Sequence, residues 1–209
     1  MPTELMVIGA GGHSKVVMEA INSNQQAHRI LLVDEDRSKE GSKLLGNIPI
    51  IFLENWIGLP ELYHIAIGNN RVRQQLGIKG QEYDKKFYTV IHPAACVSPS
   101  AHLGKGSFLA AMSVIAAEVK INEGCIVNHG AVIDHNCIIG SYSHISPSST
   151  LGADVEVGER CLIGAGATLL PTIKVGHNVV VGAGAVVTHD VLDNQTVVGV
   201  PARCVSSDE

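Results

Sequence analysis

The chain of 209 residues is 45% hydrophobic and 17% charged, which supports a well-buried core, and it carries 22 glycines against 3 Phe, 4 Tyr and 1 Trp, a balance suited to thin, tightly stacked β-structure. A net charge of −5 excludes the basic field that would hold nucleic acid or an anionic membrane surface. No apolar run reaches the ~18 residues of a membrane-spanning helix, and the start MPTELMVIGAGG lacks the basic and long apolar segments of a signal peptide.

Up to about residue 90 the pattern alternates strands and helices. Leu5–Gly9 (LMVIG) reads as a buried strand, Ser14–Gln25 as a helix with apolar residues at Val16, Val17, Ala20 and Ile21, and Arg29–Asp34 (RILLVD) as a second strand. Further strands are expected at Pro49–Leu53 and His64–Gly68, followed by a polar helix opening with NNRVRQQ. Such alternation predicts a small parallel α/β unit over residues 1–90.

From Ile91 the period becomes six. Every sixth position from Ile91 to Val187 is Val, Ile or Leu, without insertion, and the residue four places later is small or β-branched. This hexapeptide rhythm predicts a parallel β-helix over residues 91–209, each six-residue piece forming one side of a triangular coil. At three sides per coil the regular array makes roughly five coils. Cys125, Cys137 and Cys161 fall at the inward i+4 place, so they read as small core residues. With Cys96 and Cys204 the cysteines are five and contain no C-x-x-C pair, which argues against a disulfide framework or zinc ribbon and for a reducing cytoplasm.

The segment GAGGHSK (Gly9–Lys15) follows a strand and opens a helix, the setting in which backbone N–H groups and a helix dipole receive a phosphate. Ser14 stands where a full G-x-G-x-x-G pattern needs its third glycine, so a plain strand-to-helix turn is an equal reading of the loop alone. Asp34, ending the second strand, and IGNNR (Ile67–Arg71), ending a later one, would share the same crevice. A unit this small favours a nucleotide-diphosphate sugar over NAD.

Among ten histidines, His135 stands out. It occupies the third place of its hexapeptide, near a corner, in the run VIDHNCII between Asp134 and Asn136, and a rigid frame suits a general base. His129 and His144 lie 6 and 9 residues from it. Three imidazoles and a water would make a zinc hydratase site, but that spacing spreads them over different sides, so one chain cannot gather them, although neighbouring chains could; the leading expectation is no metal.

GAGGHS, Val33–Asp34, AIGNN, the hexapeptide array carrying IDHN and YSHIS, and the terminal GVPAR (Gly199–Arg203) together resemble the NeuD/PglD-type bacterial sugar acetyltransferases over nearly the whole chain. The resemblance implies a small Rossmann-like domain that binds a nucleotide sugar and a left-handed β-helix that trimerises and binds acetyl-CoA between adjacent chains. It implies His135 as general base with Asn136 beside it, and His144, Ala165 and Ala183 along the acetyl-CoA site. Gly11, Gly12, His13, Asp34, Glu35 and Gly68 fall on nucleotide-sugar contacts. Where the family has Glu or Asp after the catalytic histidine, this chain has Asn136, which supplies no negative charge to an imidazolium.

The expected activity is therefore acetyl-CoA-dependent N-acetylation of the 4-amino group of a nucleotide-linked sugar, by direct attack on the thioester, in a cytoplasmic homotrimer. O-acetylation of a sugar hydroxyl, a metal-dependent hydratase and a non-catalytic nucleotide-sugar binder are the alternatives.

Overall fold

The computed structural model describes residues 3–24, 28–45 and 47–205. Its first part is a six-stranded sheet built from β1 (Thr3–Ile8), β2 (His28–Asp34), β3 (Lys43–Leu44), β4 (Ile48–Phe52), β5 (Leu62–Ile65) and β6 (Lys86–Phe87), in the order β3-β4-β2-β1-β5-β6. All neighbours are parallel except β3 against β4. Helix α1 (Gly12–Ser23) follows β1, and α2 (Asn70–Glu82) links β5 to β6. Central strands buried on both faces explain runs such as Leu5–Ile8, each residue at most 1% exposed.

Two boundaries differ from the sequence expectation. Helix α1 begins at Gly12 rather than Ser14, because Gly11 is an extended N-cap that needs no side-chain bond; Gln25, the expected end of that helix, lies outside the described residues. Strand β5 stops at Ile65, not Gly68, because the carbonyls of Ile67 and Gly68 are taken by Arg73 Nη1, at 3.0 and 3.1 Å, instead of a neighbouring strand.

The second part is a left-handed β-helix of two-residue rungs on three parallel sheets. The first face runs from Val90–Ile91 through Phe108–Leu109, Ile126–Val127 and His144–Ile145 to Thr196–Val198; the second runs from Cys96–Val97 to Val186–Val187; the third from His102–Leu103 to Lys174–Val175. From Met112 to Gly184 every sixth residue sits at φ between +56° and +67°. For side chains other than Gly this costs on the order of 1 kcal/mol, offset by corner hydrogen bonds between coils such as Tyr142 N–H to the Glu123 carbonyl at 2.9 Å. Asn136 occupies one of these left-handed positions (φ +63°), a conformation Asn tolerates well.

Ile133, Ile139 and Ile145 point inward and are fully buried, as are Cys125, Cys137 and Cys161. Burial pushes the Cys125 thiol up to about 12 and those of Cys137 and Cys161 to about 11, so none is poised as a thiolate nucleophile. The helix is longer than the roughly five coils expected. Beyond Val187 the last coil drops two residues, pairing Val181 with Val197 and Val175 with Val191 instead of residues 18 further on, so its aliphatics fall out of the sixfold count.

The two parts share a core. The outward side chains Val90, Phe108 and Ile126 of the first face pack with Val17, Met18 and Ile21 of α1. Tyr142, from the corner joining third face to first, packs with Tyr63 and Leu76, and a Cβ added at Gly77 of α2 would collide with its phenol. This packing lays the ends of β1 and β5 against the first face, where His144 projects.

Candidate functional site

A cavity of about 290 Å³ opens at the ends of β1, β2 and β5, lined by Gly9, Gly11, Gly12, His13, Asp34, Lys39 and Gly68 among others. Gly9 is there for the backbone: its φ is +104°, and a Cβ would come 2.6 Å from Ile67 Cγ1. At Gly11, Gly12 and Gly68 a Cβ would meet nothing within 4 Å, so these three border open space. The first amides of α1 have no side-chain cap, and a helix start of this kind receives an anion.

Asp34 serves the loop itself. Its Oδ2 accepts from Ala10 N at 2.7 Å and from Lys39 Nζ at 2.8 Å, and Oδ1 accepts from Asp36 N at 2.8 Å. Burial alone would raise this carboxyl, but the Lys39 and backbone hydrogen bonds outweigh it and hold it below the usual range. Glu35, expected beside it, pairs with Lys79 at 3.1 Å and does not line the cavity.

His13, in the first turn of α1, reaches the first face. Its ring meets Phe108 edge-on at 5.3 Å and lies 6.4 Å from the ring of His144. His144 Nε2 faces the Asn128 side-chain amide at 3.2 Å, and its ring also hydrogen-bonds the Gly68 backbone. Burial, helped by the Arg73 charge, lowers the His144 pKa to about 4 against the pull of Gly68. His13 falls to about 3, through burial and then the repulsion of His144 and its neighbours. His64, whose Nδ1 bonds the Tyr88 carbonyl at 2.8 Å, falls to about 4, chiefly by burial. All three are therefore neutral near pH 7, able to accept or donate single hydrogen bonds.

His135 lies apart, exposed at the corner that follows the second face. Its backbone N–H donates to Asp134 Oδ1 at 2.7 Å. The Asn136 side-chain amide donates to Asp154 Oδ1 one coil on, at 3.0 Å. Ala165 and Ala183 sit exposed at the corner that follows the first face, stacked through Gly184 N–H to the Ala165 carbonyl at 2.8 Å. Each is followed by a glycine, Gly166 or Gly184, at which a Cβ would meet nothing within 4 Å. They form a bare strip of small residues facing open space. Within one chain, then, Gly11, Gly12, His13, Asp34, Gly68 and His144 come together, while His135 with Asn136, and Ala165 with Ala183, occupy two other corners. Among the described residues no group of three or more His, Cys, Asp or Glu is placed to hold a metal ion.

Sequence reading passed over Asn128, Lys39 and Arg73. Asn128 had a signal: Asn128–His129 and Asp134–His135 are the same polar–His pair one hexapeptide apart, and each polar oxygen accepts from the following histidine's N–H.

The fold and site define a hexapeptide-repeat β-helix protein with an N-terminal α/β unit built around a glycine-loop pocket. The family model of the PglD N-terminal domain matches residues 4–78, and that of the bacterial transferase hexapeptide (six repeats) matches 118–153 and 154–189. The acetyltransferase domain of PglB from Neisseria gonorrhoeae FA1090 in complex with acetyl coenzyme A is 37% identical, with 98% of this chain and 100% of that chain covered and a TM-score of 0.89. PerB from Caulobacter crescentus in complex with CoA and GDP-perosamine is 36% identical over 99% of each chain, with a TM-score of 0.89. The UDP-N-acetylbacillosamine N-acetyltransferase of Bacillus subtilis (strain 168) is 38% identical over 109 residues, a stretch covering 50% of this chain and 50% of that relative's length. The chain belongs to the PglD-type family of bacterial sugar acetyltransferases.

Proposed function

We propose that the protein transfers the acetyl group of acetyl-CoA to the 4-amino group of a nucleotide-linked sugar. The observation that carries this is full-length likeness to enzymes whose structures hold acetyl-CoA, or CoA with GDP-perosamine, joined to a glycine-loop pocket that ends beside His13 and His144. Residues 1–90 would bind the nucleotide sugar, the diphosphate resting on the uncapped start of α1 through Gly11, Gly12 and His13. Residues 91–209 would bind acetyl-CoA along Ala165 and Ala183.

His135 is the proposed general base. The amine attacks the thioester carbonyl directly, the C–N bond forms, His135 takes the amine proton, and the tetrahedral intermediate expels the CoA thiolate. No acyl-enzyme is needed, in keeping with the buried state and raised pKa of the inward cysteines. Asn136 has its amide nitrogen on Asp154, so its part in orienting His135 would run through the amide oxygen. Because His135 and the alanine strip lie at different corners and on different coils of one chain, this reading calls for a second copy beside the first, and a homotrimer with three shared sites meets that need. The cytoplasm supplies both acetyl-CoA and nucleotide sugars.

Analytical ultracentrifugation of the purified chain, with mass spectrometry of the product formed from acetyl-CoA and a nucleotide 4-amino sugar, tests this reading. A trimer and an acetamido sugar are expected; a monomer that turns over at full rate would overturn the shared site.

A further inference from the structure

The first turn of α2 grips three successive coils at one corner. Arg73 Nε donates to the Gly124 carbonyl at 2.7 Å and Arg73 Nη2 to the Tyr142 carbonyl at 2.8 Å, while Asn70 Nδ2 donates to the Arg160 and Cys161 carbonyls at 3.1 and 2.9 Å. Asn70 Oδ1 accepts from Arg73 Nη2 at 2.7 Å, so the two side chains act as one clamp. Arg73 Nη1 turns the other way, to the carbonyls of Ile67 and Gly68 at 3.0 and 3.1 Å. Gly68 lines the glycine-loop cavity and is the residue whose backbone bonds His144.

Arg73 is 1% exposed, and the oxygens it bonds are backbone carbonyls and one side-chain amide, all neutral. Burying a guanidinium without a carboxylate is costly unless every donor is satisfied; an apolar side chain of similar length would avoid that cost but leave these carbonyls without a donor. What the apolar residue would lack is a planar fork that binds two units at once.

We propose that Arg73 is a positioning residue for the sugar-nucleotide site, fixing the Ile67–Gly68 loop to the β-helix so that Gly68 keeps its place between the glycine pocket and His144. The proposal rests on the reading of that pocket as the nucleotide-sugar site.

The test compares wild type with Arg73→Met, Arg73→Lys and Arg73→Ala in the full chain. Arg73→Met should raise KM for a nucleotide 4-amino sugar roughly tenfold or more while leaving KM for acetyl-CoA at its wild-type value. Arg73→Lys should recover part of the loss, and millimolar guanidinium should restore binding to Arg73→Ala. A second measurement needs no ligand. Amide exchange at Ala66, which donates to the Ile8 carbonyl at 2.8 Å, should quicken in Arg73→Met while rung amides such as Ile126 and Leu162 keep their protection. Unchanged sugar KM with unchanged loop exchange would overturn the proposal. So would loop and rung exchange rising together with both KM values moving in parallel, the mark of a purely structural role. If wild type binds no nucleotide sugar, the reading of the pocket fails, and the exchange pattern alone decides the role of Arg73.

Discussion

The Asn128 side chain and the His144 ring, 16 residues apart, form a hydrogen-bonded pair across adjacent rungs of the first face, Nδ2 to Nε2 at 3.2 Å. With Nε2 accepting from the amide, the proton of the neutral ring sits on Nδ1, and the Gly68 backbone pulls the ring's pKa up. Asn128 is itself held, its Oδ1 accepting from His129 N at 2.9 Å. His144 is thus a fixed, neutral link between the β-helix and the pocket loop.

Replacing Asn128 with Asp puts a carboxylate against that nitrogen and favours the imidazolium. The His144 pKa should climb from about 4 toward its ordinary value, read from the ring proton shifts in an NMR titration. Asn128→Ala should weaken nucleotide-sugar binding by about 1 kcal/mol, several-fold in Kd, measured by calorimetry.

The glycine loop predicts a split between folding and binding. Gly9→Ala meets both a φ of +104° and Ile67 Cγ1 at 2.6 Å, and should destabilise the protein by about 1–3 kcal/mol. Gly11→Ala meets open space; its melting temperature should match wild type while its Cβ intrudes on the pocket and raises KM for the nucleotide sugar. Thermal unfolding beside steady-state kinetics on the two variants checks the contrast.

Acid should loosen the junction between the two parts. His64 is 1% exposed, with its pKa lowered from 6.5 to about 4. A histidine depressed in the folded state binds fewer protons there than when unfolded, so its stability contribution is whole above pH 6.5 and drains as pH falls toward 4. For His64 the loss is on the order of 3 kcal/mol, and His13 and His144 shift in the same direction. Urea unfolding between pH 7 and 4 should show this slope. His64→Asn, which can keep a donor toward the Tyr88 carbonyl, should flatten it.

The bare strip at Ala165 and Ala183 predicts a selective lesion on the other substrate. Ala183→Phe places a ring on an exposed corner beside Gly166 and Gly184, both bordered by open space, so the fold should persist while KM for acetyl-CoA rises at least tenfold, with nucleotide-sugar binding by equilibrium dialysis unchanged.

The β-helix was legible in the sequence because its period is rigid: one aliphatic residue every six positions has a single structural reading, and the ladder from Ile133 to Ile145 is buried as that reading requires. It failed only after Val187, where the last coil loses two residues and the hydrogen bonds, not the spacing, keep the register. The pocket was half legible. Gly11, Gly12, His13, Asp34 and Gly68 gather there, but Glu35 turns to Lys79, since a residue next in sequence to a strand-end carboxylate points the other way. Arg73 could not be read, because its partners are carbonyls far along the chain, set by how the two units dock; Asn128 left only the polar–His pairing as a trace, its partner His144 standing one rung on within the β-helix itself. His64 opens an expected strand, but its burial beside Phe87 and Phe108 is a tertiary fact that the strand pattern does not show.

Acetyl transfer to a sugar amine, with His135 as the proposed base, is most directly tested through its thiol product. Thiol release from acetyl-CoA should be followed against UDP-, GDP- and dTDP-linked 4-amino sugars and their 4-hydroxy counterparts, with wild type and His135→Ala in parallel. Because His135 is exposed and its described hydrogen bonds run through its backbone, the variant should fold as wild type does. Release with an amino sugar that falls about 100-fold or more in the variant, at unchanged melting temperature, is the predicted result. A variant as fast as wild type would rule out His135 as the base, and release with hydroxy sugars alone would rule out N-acetylation.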